Sequence, residues 1–385
     1  MRGSFRSAIR SGLIAALLLV GTPLLPALAQ DASPVASPIG SPTAAGALTM
    51  DNMTVVAGGL LDPRGFAWNS FGRLYVAQAG IGGETASVAR IDNGCPVIIA
   101  PNLASNRDDG GSSVGAAAVA FLGDQLYVLI AGGGETNRNP QMPNGVYRVN
   151  ADQSVTLIAD LSAFIRANPV SDSQPDDYSP EGNPYALAPD AANDALWILE
   201  ANSGQLLRAS LNGTITRVVD FSSGNPVPTA LTVDPKGGVY VGFLTPLPFS
   251  DDSSQVVHVS ETGDVTSVWL GLTMVTSLAV GPNGALYALE FSTGNTTEPP
   301  FVVPGSGKIV KQTGPSEKAE IAVGLNMPAF MAFGPDDNLY ISLPGIDAND
   351  TNGVILMTNL TPGSMPTAAP PVCSAAVPEA SPVTN

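Results

Sequence analysis

Six copies of one short apolar-aromatic-apolar motif recur along this chain: Leu74-Tyr75-Val76, Leu126-Tyr127-Val128, Leu196-Trp197-Ile198, Val239-Tyr240-Val241, Leu286-Tyr287-Ala288 and Leu339-Tyr340-Ile341. A strand points successive side chains to opposite faces, so such a motif is apolar on both sides and needs a partner on each. The copies mostly lie near the ~40–50 residues apart expected of four-stranded propeller blades.

Each motif is preceded by a shorter apolar strand and a tight turn rich in Gly, Asn and Asp, as in 66–72, 185–194 and 331–338, which is hairpin chemistry. After each comes a variable loop and a third strand, at 87–92, 145–150, 205–210, 256–260, 308–312 and 353–357. A fourth strand follows in five units, at 96–100, 155–159, 215–219, 265–269 and 319–323. The sixth unit lacks one, and Thr54-Val55-Val56-Ala57, directly before the first unit, is spare. Donating it to the sixth unit closes a ring without an exposed edge, whereas an open sandwich would leave both unmatched. The expected fold is therefore all-β, a six-bladed β-propeller with four strands per blade, closed by an N-terminal strand completing blade six.

Strand alternation puts the second-to-third and fourth-to-first connections on one face, and these are long: 104–113, 131–144, 164–182, 243–255, 291–307 and 343–352. Binding usually sits on such loops. Acids gather there as well: Glu84, Asp108, Asp109, Glu135, Asp172, Asp176, Asp177, Glu181, Asp251, Asp252, Glu298, Asp347 and Asp350.

The ends have a different character. Arg2, Arg6 and Arg10, an apolar run from Leu13 to Val20 and Ala27-Leu28-Ala29 form the three parts of a secretory signal. The expected organisation is a signal peptide at 1–29, a disordered Pro/Ser/Ala-rich linker at 30–50, the propeller at 51–360 and a disordered tail at 361–385. The mature chain is expected to be secreted or periplasmic, in the cell envelope, without membrane insertion after signal cleavage. Two cysteines in an exported chain are expected to pair, and Cys95 and Cys373 both fall on the short-turn side of neighbouring blades one and six. A Cys95–Cys373 disulfide would pin the tail across the closing seam. The net charge of −17, which becomes −20 without the three leader arginines, repels phosphate backbones and anionic lipid, so nucleic acid is not an expected partner.

Familiar catalytic patterns fail on inspection. The single histidine, His258, lies in a third strand away from the channel, which disfavours a Ser-His-Asp hydrolase or a His-ligated zinc site. Gly111-Ser112-Ser113-Val114-Gly115 matches a nucleophile elbow in letters but leads from a loop into a strand, and Gly305-Ser306-Gly307-Lys308 lacks phosphate-loop spacing. The stretch 347–353 has calcium-type ligands at the wrong offsets and no closing Glu.

Residues that begin first strands or end second strands point toward the channel mouth: Arg64, Ser113, Asn183, Thr229, Thr276 and Met327, with Gln78, Glu200, Phe243 and Glu290. A polar ligand is expected among Arg64, Glu181, Asn183, Tyr185, Thr229, Thr245 and Glu290. Glu181, Asn183, Glu200 and Glu290 are the set that would suit one calcium ion, with a hydrogen-bonded plug as the alternative.

The body from Thr54 to Met357 resembles the ScyD/ScyE family of exported propellers, related in shape to NHL-repeat proteins. The resemblance rests on 55–60, Asp62-Pro63-Arg64-Gly65-Phe66-Ala67, 74–77 with Ala79-Gly80, Glu181-Gly182-Asn183-Pro184-Tyr185-Ala186-Leu187, 227–235, 240–249 and 286–290. It implies export and the propeller fold; no reaction is established for the family. Relatives commonly carry an acid where this chain has Gln78 and Phe243, and a DAGGND-like stretch in place of Glu200-Ala201-Asn202-Ser203-Gly204-Gln205. Three functions follow. The first is a non-catalytic binding or scaffold protein whose long-loop face takes a small polar ligand, a polymer or another protein. The second is a divalent-metal hydrolase of an ester or lactone, and the third a quinone-dependent sugar dehydrogenase, disfavoured by the scarcity of His and of cations around the channel.

Overall fold

A computed structural model describes residues 47–107, 112–173, 179–344, 352–360 and Cys373. The expected signal peptide, most of the linker, the tail apart from Cys373, and Asp108, Asp109, Asp176, Asp177, Asp347 and Asp350 lie outside the described residues.

Six sheets form the blades, each with its strands antiparallel and in order from the channel outward. Blade one is Pro63–Trp68, Leu74–Gln78, Gly83–Asp92 and Cys95–Arg107, with Ser113–Val114 added at its rim. Blade two is Ala116–Leu122, Gln125–Ile130, Gly145–Val149 and Val155–Asp160; blade three is Pro184–Asp190, Ala195–Glu200, Gln205–Ser210 and Ile215–Asp220. Blade four is Pro228–Val233, Val239–Phe243, Ser254–Val259 and Val265–Leu272; blade five is Val275–Val280, Leu286–Glu290, Gly307–Gly314 and Glu317–Leu325. Blade six is Phe330–Phe333, Leu339–Leu343 and Gly353–Thr358, completed by Thr54–Leu60.

The six motifs act as two-sided wedges. In every blade the aromatic fills the gap toward the next blade, while the flanking aliphatics fill the gap toward the preceding one. Tyr127 joins Leu187, Leu196 and Ile198 between blades two and three, whereas Leu126 and Val128 join Ala77, Val88 and Ala100 between blades one and two. The same division holds for Trp197, Tyr240, Tyr287, Tyr340 and Tyr75, so each of six apolar clusters belongs to one inter-blade gap. Burying a side chain of this size stabilises by roughly 1.5–3 kcal/mol.

The ring closes as the spare strand requires. Thr54–Leu60 pairs antiparallel with Gly353–Thr358, matching Thr54 to Met357 and Leu60 to Gly353. A bulge at Gly58-Gly59 interrupts the register, and Gly59 takes φ +68°, a conformation that favours glycine. There the strand meets blade one: Gly58 N–H donates to Gly94 O at 3.1 Å. Cys373 is disulfide-bonded to Cys95, with Cα atoms 5.4 Å apart, and its Sγ rests against the carbonyls of Gly58 and Gly94 at 3.6 and 3.5 Å. The bridge therefore joins blade one, the closing strand and the tail at one point.

Order also begins ahead of the expected boundary at 51. Leu48 is buried and forms a parallel bridge to Ala322 on the outer strand of blade five, donating to Ile321 O and accepting from Val323 N at 2.9 Å each. Its backbone joins that edge while its side chain packs into the adjoining core. A second difference lies in 164–182, expected as loop throughout. Leu161–Ala167 is a helix capped by Asp160, whose carboxylate accepts Ala163 N–H at 2.7 Å, with Leu161 and Ile165 buried.

Because the bridge closes a loop of 278 residues, Cys95→Ser or reduction of the disulfide is expected to cost roughly 2–4 kcal/mol. Thermal melts with and without reductant measure this, and the double variant Cys95→Ser/Cys373→Ser should no longer respond to reductant.

Candidate functional site

The first strands of the blades line the channel and touch in sequence around it, with Pro63–Trp68 meeting Phe330–Phe333 to complete the circuit. They approach closely because small residues face one another. A Cβ on Gly115 would lie 2.0 Å from Ala79 O, and one on Gly65 would lie 2.9 Å from Ala118 Cβ. On the long-loop side the channel opens into a cavity with a volume of about 620 Å³ counting its open mouth.

Arg64, Ser113, Asn183, Thr229 and Thr276, five of the six expected first-strand starts, line this cavity together with Tyr185. Met327 does not; Ala329 and Phe330 take the blade-six side, because the chain turns at Met327, φ +48°, before the strand begins. Arg64 donates from Nη2 to Asp62 Oδ2 at 2.8 Å and to Ser113 O at 3.0 Å. Thr229 Oγ1 donates to Val275 O at 2.6 Å and Thr276 Oγ1 to Pro328 O at 3.2 Å, each tying its blade to the next. The Tyr185 hydroxyl is pushed above the ordinary phenol range by burial, against the opposing pull of Arg64, so it stays protonated. Ser113 Oγ is buried without a hydrogen-bond partner.

The expected cation ligands are not brought together. Asn183 lines the cavity, but the three acids are turned into the scaffold. Glu200 Oε1 accepts the backbone N–H of Asn183 and of Asn202, each at 2.8 Å, and its Oε2 accepts Ser203 N–H at 2.9 Å and the Ser203 hydroxyl. Glu290 Oε1 accepts Thr273 N–H at 2.9 Å and Lys318 Nζ at 2.9 Å; Lys318 also donates to Asp252 and to Gly271 O. Glu181 accepts from Glu135 N, Thr136 N and Arg166. Among the described residues no group of three or more His, Cys, Asp or Glu is arranged to hold a metal. Thr245 lies in the loop after blade four's second strand, with its hydroxyl 3.5 Å from that of Ser253.

A common rule explains the acids. The residue ending a second strand reaches back to the chain entering its own blade: Gln78 Oε1 accepts Leu61 N–H at 2.6 Å, as Glu200 does from Asn183 and Glu290 from Thr273. These are clamps on the crossover between blades, and an amide serves as well as a carboxylate. Phe243, at the same place in blade four, packs against Phe221 instead. The sequence placed these residues at the right end of the right strand, but side-chain rotation, which directs them toward backbone N–H groups, is set by the crossover's path. Asp62, which pairs with Arg64, was missed as a site residue; its position two residues before Arg64 was the available signal.

No protein-family model matches the chain, and no curated protein matches it by sequence. Solved structures do match. A putative oxidoreductase (glucose dehydrogenase) from Thermus thermophilus aligns at 15% identity over 79% of this chain and 98% of that one, with a TM-score of 0.54. The calcium-binding protein regucalcin from Agrobacterium tumefaciens aligns at 15% over 81% and 94%, with a TM-score of 0.52. The PQQ-bound aldose sugar dehydrogenase from Streptomyces coelicolor aligns at 14% over 79% and 96%, also with a TM-score of 0.52. At such identities the likeness is one of fold, and the class is that of six-bladed β-propellers.

Two measurements separate scaffold from cavity. Glu200→Ala strands several buried N–H groups and is expected to cost about 3 kcal/mol or more in urea unfolding, while Tyr185→Phe stays within about 0.5 kcal/mol of the parent. At Glu181, burial pushes the carboxyl up, but the N–H groups of Thr136 and Glu135 and the charge of Arg166 outweigh it and hold it below the ordinary range. Its contribution is then present above the unfolded carboxyl value and lost as pH falls through the folded one. The stability gap between parent and Glu181→Gln should accordingly be full above about pH 5 and shrink toward zero in stronger acid, read from melts across pH.

Proposed function

We propose that this chain is an exported propeller of the ScyD/ScyE type that acts by binding, without catalysis, and that its ligand occupies the channel-mouth cavity between Arg64, Asn183, Tyr185 and Thr229. The observation that carries this reading is the use of the acids. Glu181 and Glu200, which a hydrolase would need as cation ligands or as general bases, spend their oxygens on backbone N–H groups, Arg166 and Ser203, and Glu290 gives Oε1 to Thr273 N–H and Lys318 while its buried Oε2 has no hydrogen-bond partner among the described residues. What lines the cavity is Arg64, Asn183 and Tyr185, with the buried Ser113, Thr229 and Thr276 behind them. Such groups orient a bound molecule and supply no obvious acid–base pair.

Export is supported by the leader-like N-terminus, by a disulfide that suits an oxidising compartment, and by the fact that no helix among the described residues is long and apolar enough to cross a membrane. The long loops 131–144, 243–255 and 291–307, which are described throughout, would extend contact to a larger ligand or a polymer. The metal-hydrolase reading makes an opposite prediction. Purified mature protein is expected to show no hydrolysis of aryl esters or lactones, with or without added calcium. Turnover that disappears in Glu290→Gln or Glu181→Gln, with the folded state retained at the assay temperature, would overturn the binding reading.

A further inference from the structure

The cavity's chemistry is uneven around its rim. Among the described residues Arg64 is the only charged side chain lining it, and buried Asp62 stands 2.8 Å away, so the pair presents little net charge. Toward blades four and five Thr229 and Thr276 are buried, their hydroxyls donating to Val275 O and Pro328 O, so they shape the wall there. Toward blade three, the Tyr185 hydroxyl and the Asn183 carboxamide line the cavity with no hydrogen bond from their side chains to any described residue. Leu231, Ala329 and Phe330 supply an apolar flank.

From this we infer that the cavity selects a small uncharged molecule or end-group, with an acceptor oxygen toward Tyr185 and Asn183. A carboxylate would have to compete with Asp62 for Arg64, inside a chain of net charge −17, and an ammonium group would meet the guanidinium itself. Either would lose hydration without gaining an unshared counter-charge. Size narrows the class further. The cavity, about 620 Å³ counting its open mouth, is of a size to take a small hydroxy-amide or the terminus of a longer polar chain.

This inference rests on the cavity being the ligand site, and the test separates the two. Glycolamide, glycolate and ethanolammonium have nearly the same shape and differ in charge. They would be titrated into the mature, disulfide-intact protein with chemical shifts of the cavity-lining residues as the readout. Glycolamide is expected to bind, the two ions at least about tenfold more weakly, and Tyr185→Phe to weaken glycolamide by about fivefold while its melting point stays at the parent's. Glycolate binding as tightly as glycolamide, or more so, would overturn the selection of a neutral group and leave the cavity as the ligand site. Silence from all three up to about 100 mM would take down both the selection and the site.

Discussion

A four-stranded sheet that is apolar on both faces is unstable alone, and its need for cover on each side is the constraint from which the rest of this molecule follows. The Leu-Tyr-Val motifs create it. Their aromatics reach forward and their aliphatics backward, so each blade is half of two cores, and a row of such blades has two bare ends until it bends into a ring. The ring also fixes the channel: first strands are brought together by packing behind them, and only residues as small as Gly65, Gly115 and Ala118 let the backbones come that close.

Closure is the one junction made by residues far apart in sequence, and several devices converge on it. The N-terminal strand supplies the last ladder, Gly58-Gly59 bends it toward blade one, and Cys95–Cys373 ties the tail to the same spot. Leu48 extends the hold to blade five, so the segment entering the propeller is fastened to that blade before its own strand begins to pair with blade six. The seam's covalent tie constrains separation of the first and last blades in the ring while leaving the long-loop face untouched.

Carboxylates near a propeller channel invite a metal-site reading from sequence, and here their geometry gives them another use. Glu200 and Glu290 end second strands at the depth where a cation would sit, yet each turns to the N–H groups of an incoming crossover whose backbone would otherwise be buried unpaired. Gln78 performs the same task without a charge, which shows that the position requires an acceptor. The cavity is left to Arg64, Asn183, Tyr185 and the threonines. Its polarity therefore comes from first strands, and the acids belong to the framework around it.

The repeat, the number of blades, the donated strand, the face carrying the long loops and the pairing of Cys95 with Cys373 were all determined by the sequence itself. Each depends on order along the chain: strand alternation and blade adjacency translate position directly into place. Five of six channel-facing starts were legible for the same reason. Other features depend on where a side chain turns once its strand is placed, and these only the tertiary structure decided. Whether Glu181, Glu200 and Glu290 face a ligand or a backbone N–H, whether the Thr229 hydroxyl donates to the neighbouring blade, and whether Leu48 finds an edge to join are settled by atoms from distant segments. The path of a crossover and the width of a gap between blades are properties of the closed ring, and no local stretch of sequence contains them.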